Sequence, residues 1–175
     1  LRDERSYKTL HEIGIENKNV KVTADPALDL DIADEKLGKA ILKNEGVPSD
    51  KKLLGVSVRK WQNLGSDFET QIANACDYAY EKYGYYTVFL PMQSSRDTAI
   101  MQNIKRKMKH ESAIIKKRYS VEGMLSIIKC FDMCIGMRLH TLIYAAINSV
   151  PLIGLVYDPK INSFMEYTHQ RHYVD

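Results

Sequence analysis

Residues 133–160 read MCIGMRLHTLIYAAINSVPLIGLVYDPK, and this stretch predicts a strand, a helix and a second strand. A short apolar strand is expected at residues 133–135. A helix is expected at residues 139–148, because apolar side chains recur there at helical spacing. These side chains are Leu139, Leu142, Ile143, Ala146 and Ile147. Residues 150–157 are apolar almost throughout, as in a buried parallel strand. The stretch therefore predicts an α/β fold with a parallel sheet.

Three chemically active side chains follow these two strands. Arg138 and His140 come at the start of the helix, where free backbone N–H groups and the helix dipole favour an anion, and Gly136 is expected to allow a tight turn before them. Lys160 follows the second strand, and ligands of open α/β sheets bind beyond the carboxyl ends of strands. Together they suit a phosphate or carboxylate substrate that also needs a proton moved. A lone Arg-x-His is common, however, and could equally be a surface ion pair beside a helix cap.

The rest of the chain alternates between the same two kinds of element. Helices are expected at residues 3–13, 34–44, 67–83, 98–109 and 121–129, and strands at 20–23, 53–58, 86–90 and 113–116. Ser66 and Glu69 resemble a capping box before one helix, and Asp97 is expected to cap another. The polar, Gly- and Pro-containing segment 45–52 is a candidate boundary. This order predicts a mainly parallel sheet with helices on both faces.

Further candidate site residues follow the other strands. Arg59 ends strand 53–58 at the edge where ligands bind, although it could simply face solvent. Gln93, Ser94 and Ser95 are expected in the loop after strand 86–90, where they could bind a phosphate or form a plain turn. Trp61 and Tyr157 could form the wall of a pocket or only pack.

Composition excludes several classes of function. The net charge of +3 is too small to indicate nucleic-acid binding. No apolar run reaches the ~20 residues of a membrane span. The three cysteines are expected to be reduced core thiols, which favours a cytoplasmic protein. His169 and His172 have i, i+3 spacing but no carboxylate partner, so no metal site is expected.

Basic residues crowd the segment 105–118, which contains seven of them. They are Lys105, Arg106, Lys107, Lys109, Lys116, Lys117 and Arg118, with Glu111 as the one acid. Such a run is either a solvated helix face or a surface that meets anionic lipid, since basic residues near such a membrane gain about 1 kcal/mol each.

Five segments, in order, resemble the polysaccharide pyruvyl transferase family. They are LRDERSYKTLHEIGI (1–15), VKVTADPALDL (20–30), LLGVSVRKW (53–61), VFLPMQSSRD (88–97) and the stretch 136–160. The nearest likeness is to the cell-wall-polysaccharide pyruvyl transferases that Gram-positive bacteria use to prepare anchors for surface-layer proteins. The chain begins with Leu1 inside one of these segments, so it is expected to be part of a longer protein.

The resemblance implies a Rossmann-like α/β domain that forms one half of a GT-B-like two-domain enzyme. Residues 1–48 would be the end of the N-terminal domain and the link, and residues 49–175 the C-terminal, donor-binding domain. Such a transferase moves the enolpyruvyl carbons of phosphoenolpyruvate onto two hydroxyls of one sugar, giving a cyclic ketal and phosphate. The acceptor would be a cell-wall or exopolysaccharide precursor, which could be lipid-linked at the inner face of the membrane. No cofactor is expected, since phosphoenolpyruvate is a substrate, and the oligomeric state is left open.

Residue roles follow from the resemblance. His140 would be the catalytic acid or base, and the cations Arg138, Lys160 and Arg59 would bind the phosphate and carboxylate of the donor. The rest of the expected substrate-binding set consists of Gly136, Gln93, Asp158 and Arg2.

Two alternatives from other classes were weighed. One is a GT-B glycosyltransferase that uses a nucleotide sugar. Such enzymes often place a glutamate in the last strand–helix unit, and the helix after His140, TLIYAAIN, has no carboxylate. The other is a non-catalytic module of the same fold that binds an anion or a partner, against which the set of Arg138, His140 and Lys160 argues.

Overall fold

The computed structural model describes residues 1–31, 33–62 and 64–170, and the backbone of residues 173–174. The strands are β1 (Lys52–Ser57), β2 (Tyr85–Phe89), β3 (Ser112–Ile114), β4 (Met133–Gly136), β5 (Leu152–Leu155) and β6 (Tyr173–Val174). The helices are α1 (Glu4–Glu12), α2 (Glu35–Asn44), α3 (Phe68–Tyr83), α4 (Ser94–Lys107), α5 (Val121–Lys129), α6 (Leu139–Ile147) and α7 (Pro159–Tyr167), with a 3-10 helix at Pro26–Asp29.

All described strands pair in parallel, in the order β3-β2-β1-β4-β5-β6. The order reverses between β1 and β4, whose ends are in register at Ser57 and Gly136. Loops diverge to opposite faces at such a reversal and leave a crevice beyond the carboxyl ends of the strands. The predicted mainly parallel α/β sheet is confirmed, and the reversal fixes where its crevice lies.

Two hydrophobic layers cover the sheet, because successive strand residues point to opposite faces. Leu54, Val56 and Val58 pack with apolar residues of α3 and α4 on one face. The opposite face carries a layer to which α2, α5, α6 and α7 contribute. Helices therefore lie on both faces, as the alternating pattern predicts.

The N-terminal third contributes to this core. Ile41 and Leu42 of α2 are buried in it, and α2 packs closely against α5. A Cβ on Gly38 would lie 1.9 Å from the carbonyl oxygen of Ser126, so only glycine permits this approach. The division of the chain at residue 48 stays a prediction.

Several predicted elements are wrong in detail. Residues 20–23 form no strand; instead Thr23 N–H donates to Leu1 O at 2.7 Å, and the terminal nitrogen of Leu1 donates to Lys21 O at 2.7 Å. Helix α1 forms, but none of its residues is buried. The predicted capping box of Ser66 and Glu69 does not form. The residue before α3 is Asp67, whose side chain makes no capping bond, and Glu69 accepts a hydrogen bond from Asn103 Nδ2 at 3.0 Å.

Two helices differ from expectation where they border the site. Helix α4 begins at Ser94, so Ser94 and Ser95 lie in its first turn rather than in a loop. Asp97 lies buried within that turn rather than before it. Its Oδ2 accepts from Gln93 N–H, at the residue before the helix, at 2.9 Å. Helix α7 was not expected, although Asp158 caps its start and Pro159 occupies its first position, a common signal for a helix N-terminus.

Within the part of the chain that the structure describes, no helix has the length and apolarity that a membrane span requires.

Candidate active site

Four loops carry the predicted site residues to one edge of the sheet. Arg59 follows β1, Gln93 follows β2, and Arg138 follows β4. Lys160 follows β5, in the first turn of α7. Because these four strands are adjacent and parallel, their carboxyl ends meet at the β1–β4 crevice.

An open cleft of about 410 Å³ lies at this edge. Its lining consists of Arg2, Arg59, Met92, Gln93, Arg138, Leu139, His140, Tyr144, Tyr157 and Lys160. The volume is in the usual range for small-molecule sites, about 300–1,000 Å³. The cleft thus unites six predicted site residues, including all four predicted cations.

Arg138 is held by a buried carboxylate. Its Nε lies 3.1 Å from Asp97 Oδ2 and its Nη2 donates to Asp97 Oδ1, in a two-point ion pair. Nη2 also lies 3.3 Å from Gln93 Oε1. The Asp97 side chain is fully buried, so it offsets much of the charge of Arg138 while fixing its position.

Arg59 has a different environment, made of aromatic rings. Its Cζ lies 5.1 Å from the ring centroid of Trp61 and 5.5 Å from that of Tyr157, and its Nη1 donates to Tyr157 Oη at 3.3 Å. Its buried Nε has no hydrogen-bond partner within the described residues. No carboxylate of that part of the chain pairs with Arg59, so no ion pair within the described residues offsets its charge.

Lys160 and Arg2 complete the basic wall. Lys160 Nζ lies 3.4 Å from Asp158 Oδ2 and 5.7 Å from the ring centroid of Tyr157. Arg2 Nη1 lies 3.1 Å from Asp25 Oδ2, which joins the start of the chain to the residue before the 3-10 helix. Both ion pairs are partly exposed, and such pairs are weak enough to rearrange around a ligand.

His140 lines the cleft at the start of α6. It is exposed, lies in the first turn of α6, and makes no hydrogen bond with any residue that the structure describes. The nearest aromatic ring is that of Tyr144, at 6.1 Å between centroids. The first N–H groups of a helix have no acceptor within the helix, so the start of α6 favours an anion beside His140.

Two residues of the expected catalytic and substrate-binding set do not line the cleft, and of the other candidates Ser94, Ser95 and Trp61 do not line it either. Gly136 is buried at the end of β4, and the chain passes into α6 within two residues, but Gly136 does not adopt the positive φ that favours glycine. It serves packing, since a Cβ there would lie 2.8 Å from Leu142 Cδ2. Asp158 does not line the cleft; its Oδ1 accepts from Lys160 N–H at 3.0 Å, which caps α7. Its effect on the site is exerted through Lys160.

A metal site needs several ligating side chains close together. The described residues contain no group of three His, Cys, Asp or Glu side chains placed to hold a metal ion. Of the two histidines with i, i+3 spacing, His172 lies outside the described residues.

Sequence reasoning missed four contributors to the site. Leu139, Met92 and Tyr144 add apolar surface to the cleft, and Asp97 fixes Arg138. Asp97 was noticed only as a helix cap. Its pairing with a residue 41 positions away has no local signal.

Comparisons with known proteins agree with the fold. A family model described as polysaccharide pyruvyl transferase matches residues 1–159. No curated protein matches the chain in sequence. Among solved structures, the chain is similar to a glycosyl transferase family 9 protein from Veillonella parvula DSM 2008, with a TM-score of 0.59 and 13% identity over 95% of this chain and 46% of that one. It is also similar to the S. aureus MnaA–UDP co-structure, with a TM-score of 0.64 and 14% identity over 87% of this chain and 41% of that one. At these identities the likeness shows the fold alone, and the chain spans less than half the length of either structure.

Proposed function

The chain belongs to the polysaccharide pyruvyl transferase family, and on that premise we propose that its cleft binds phosphoenolpyruvate and serves the transfer of the pyruvyl group to a glycan. In this reaction the vinyl CH₂ carbon gains a proton and the adjacent carbon forms bonds to two sugar oxygens. The bond from that carbon to the phosphate oxygen breaks. The two hydroxyls lose two protons, of which one ends on the new methyl group and one on the released phosphate.

The cationic wall of the cleft is the observation that carries the proposal. Phosphoenolpyruvate has a phosphate and a carboxylate, and the lining of the cleft includes Arg2, Arg59 and Lys160 together with the start of α6. Arg59 is the principal anchor, because no carboxylate of the described residues offsets its charge. A guanidinium binds a carboxylate or phosphate through two donors, which orients the ligand as well as holding it.

Arg138 has two roles, since it binds the donor and also positions it. With Nε and Nη2 committed to Asp97, its guanidinium presents a fixed edge to the cleft. A fixed donor costs little reorganisation when the ligand arrives. Arg138 therefore aligns the donor, while Arg59, which has no carboxylate partner among the described residues, supplies most of the uncompensated attraction.

His140 is the group for proton movement. It is exposed to the cleft, and an imidazole can serve as a general acid or a general base. In the proposed reaction it either protonates the vinyl carbon or deprotonates a sugar hydroxyl. Either role typically contributes about 10²–10⁴ to the rate.

Calorimetric titration of the full-length protein tests the proposal. We expect phosphoenolpyruvate to bind and UDP-sugars not to bind. Tight binding of a UDP-sugar, with no response to phosphoenolpyruvate, would favour a nucleotide-sugar glycosyltransferase instead. Binding of phosphoenolpyruvate without phosphate release in the presence of cell-wall glycans would favour a non-catalytic module.

The acceptor and its location are part of the same proposal. The family description implies a polysaccharide, and we propose a cell-wall or exopolysaccharide precursor of the surface-layer anchoring type. The reaction would occur in the cytoplasm, where phosphoenolpyruvate is made, with peripheral contact to an anionic membrane if the acceptor is lipid-linked.

A further inference from the structure

The basic segment 105–118 forms two surfaces rather than one. Lys105, Arg106 and Lys107 end α4, which runs away from the carboxyl edge of the sheet. Strand β3 then returns in parallel with β2, so Lys117 and Arg118 emerge at the carboxyl edge, beside the cleft. Strand β3 thus divides a run that is continuous in sequence.

A second cavity lies where Lys117 and Arg118 emerge. Its volume is about 530 Å³. Its polar lining comes from the start of α4 and from the loop after β3, and its apolar lining includes Val121 and Met124. Met92, Gln93 and Tyr144 line both this cavity and the cleft, so the two are contiguous.

The loop that carries the two cations is held in place by Glu45. The Glu45 carboxylate accepts from Lys116 N–H at 2.9 Å, from Lys117 N–H at 3.2 Å and from Tyr119 Oη at 2.7 Å. Burial alone would raise the pKa of Glu45, but these hydrogen bonds lower it overall. Burial, with this hydrogen bond, raises the pKa of Tyr119 to about 12, so the phenol stays a donor. The loop is therefore ordered while its charged side chains remain exposed.

Lys117 and Arg118 are thus available to a ligand. Both are exposed, and neither forms an ion pair with any carboxylate of the described chain. The hydroxyls of Ser94 and Ser95 border the same cavity. Tyr119 and Met124 provide the flat and apolar surface on which a sugar ring can pack.

We propose that this Lys117–Arg118 pocket binds a phosphate group carried by the acceptor glycan, next to the donor in the cleft. Two adjacent cations match a phosphate better than a neutral sugar, because charge-assisted hydrogen bonds are the strong ones. The shared residue Gln93 also contacts Arg138, so an acceptor seated here lies beside the donor site. The identity of the ligand as the acceptor glycan rests on the proposed function. The binding of a phosphate group in this pocket does not depend on it.

The test uses the full-length protein with the cleft saturated by phosphoenolpyruvate, so that a second anion must bind elsewhere. N-acetylglucosamine 1-phosphate is titrated by calorimetry beside neutral N-acetylglucosamine. The variant is Lys117→Gln/Arg118→Gln. The matched control is Lys60→Gln/Arg96→Gln, which removes the same charge from a neighbouring basic surface beyond Arg59 and Arg138. Thermal unfolding of each variant shows that it is folded.

We expect wild-type protein to bind the sugar phosphate and not the neutral sugar. The Lys117→Gln/Arg118→Gln variant should bind the sugar phosphate about tenfold more weakly or worse, and the control variant should bind it as wild type does. Equal affinity in the variant, or a loss confined to the control, would overturn the proposal. Retention on phosphatidylglycerol vesicles with no binding of the sugar phosphate would also overturn it, in favour of a lipid surface. Failure of phosphoenolpyruvate to bind would instead count against the proposed function, and the titration without donor would still report on this pocket.

Discussion

Asp97 and Arg138 form a buried ion pair that joins the first turn of α4 to the start of α6. Two nitrogen atoms of the guanidinium meet the two oxygen atoms of the carboxylate. The same carboxylate accepts from Gln93 N–H at 2.9 Å. One side chain therefore fixes both a cleft cation and the loop that separates the cleft from the Lys117–Arg118 pocket.

Asp97→Asn is expected to lower the free energy of unfolding by about 3–5 kcal/mol, because removing one partner of a buried pair leaves the other charge uncompensated. Denaturant unfolding measures this loss. The exposed Asp67→Asn is the control, since its side chain makes no capping bond. Asp97→Asn/Arg138→Gln should be less destabilised than the sum of the single variants. Additive losses would mean that the two side chains do not act as a pair.

Arg59→Ala is expected to weaken phosphoenolpyruvate binding about ten- to a hundredfold, because it removes a charged donor with no competing carboxylate among the described residues. Arg59→Lys should restore little, since an ammonium group lacks the planar fork and its stacking on Trp61 and Tyr157. Calorimetry gives both affinities, with the neighbouring Lys60→Gln as control. Full recovery in Arg59→Lys would show that only the charge matters.

Glu45→Gln tests the order of the loop that carries Lys117 and Arg118. The folded-state pKa of Glu45 lies below its ordinary value of 4.5, so its ionised form stabilises the fold above that pH. This stabilisation is lost as the pH falls through the lowered folded-state pKa. We expect Glu45→Gln to be about 1–3 kcal/mol less stable at pH 7, with the difference vanishing in acid.

The control for Glu45 is Glu35→Gln. Glu35 forms an exposed ion pair with Lys39, and such pairs contribute little. Denaturant unfolding at several pH values measures both variants. A Glu45→Gln difference that persists below the lowered pKa would contradict the assignment.

The cysteines are expected to be nearly inert in the native protein. Burial raises the pKa of Cys134 to about 12. Burial is also the largest cause that raises the pKa values of Cys76 and Cys130 to about 11. Because the thiolate is the reactive form of cysteine, such high pKa values predict slow reaction. Cys130, which is only half buried, should react first with iodoacetamide at pH 8, and the other two only after unfolding. Peptide mass spectrometry gives the order of labelling. Rapid native labelling of Cys134 would contradict its burial.

The arrangement of the cleft could largely be predicted from the chain, because parallel strands bring their carboxyl ends to one edge. Arg59, Arg138 and Lys160 each follow an apolar strand, and that suffices to expect them together. The order of the strands, and hence the crevice between β1 and β4, has no comparable signal.

What could not be predicted depends on contacts between distant segments. The pairing of Asp97 with Arg138 needs the helices in place before it is visible. A strand within segment 105–118 is predicted at residues 113–116, but its parallel pairing with β2, which sends the two groups of basic residues to different surfaces, has no local signal. Helix α7 is different, since Asp158 and Pro159 did signal its start.

The most direct test of the central claim is the single-turnover rate of phosphate release from phosphoenolpyruvate, measured with a cell-wall glycan acceptor in full-length wild-type protein, His140→Ala and His140→Gln. If His140 moves the proton, both variants should bind phosphoenolpyruvate nearly as well as wild type but release phosphate about 10²-fold more slowly or worse. His140→Gln should not recover the rate, because an amide keeps hydrogen bonding but does not titrate. Near-wild-type release from His140→Ala would contradict the account and leave His140 as an anion ligand or a helix-start residue only.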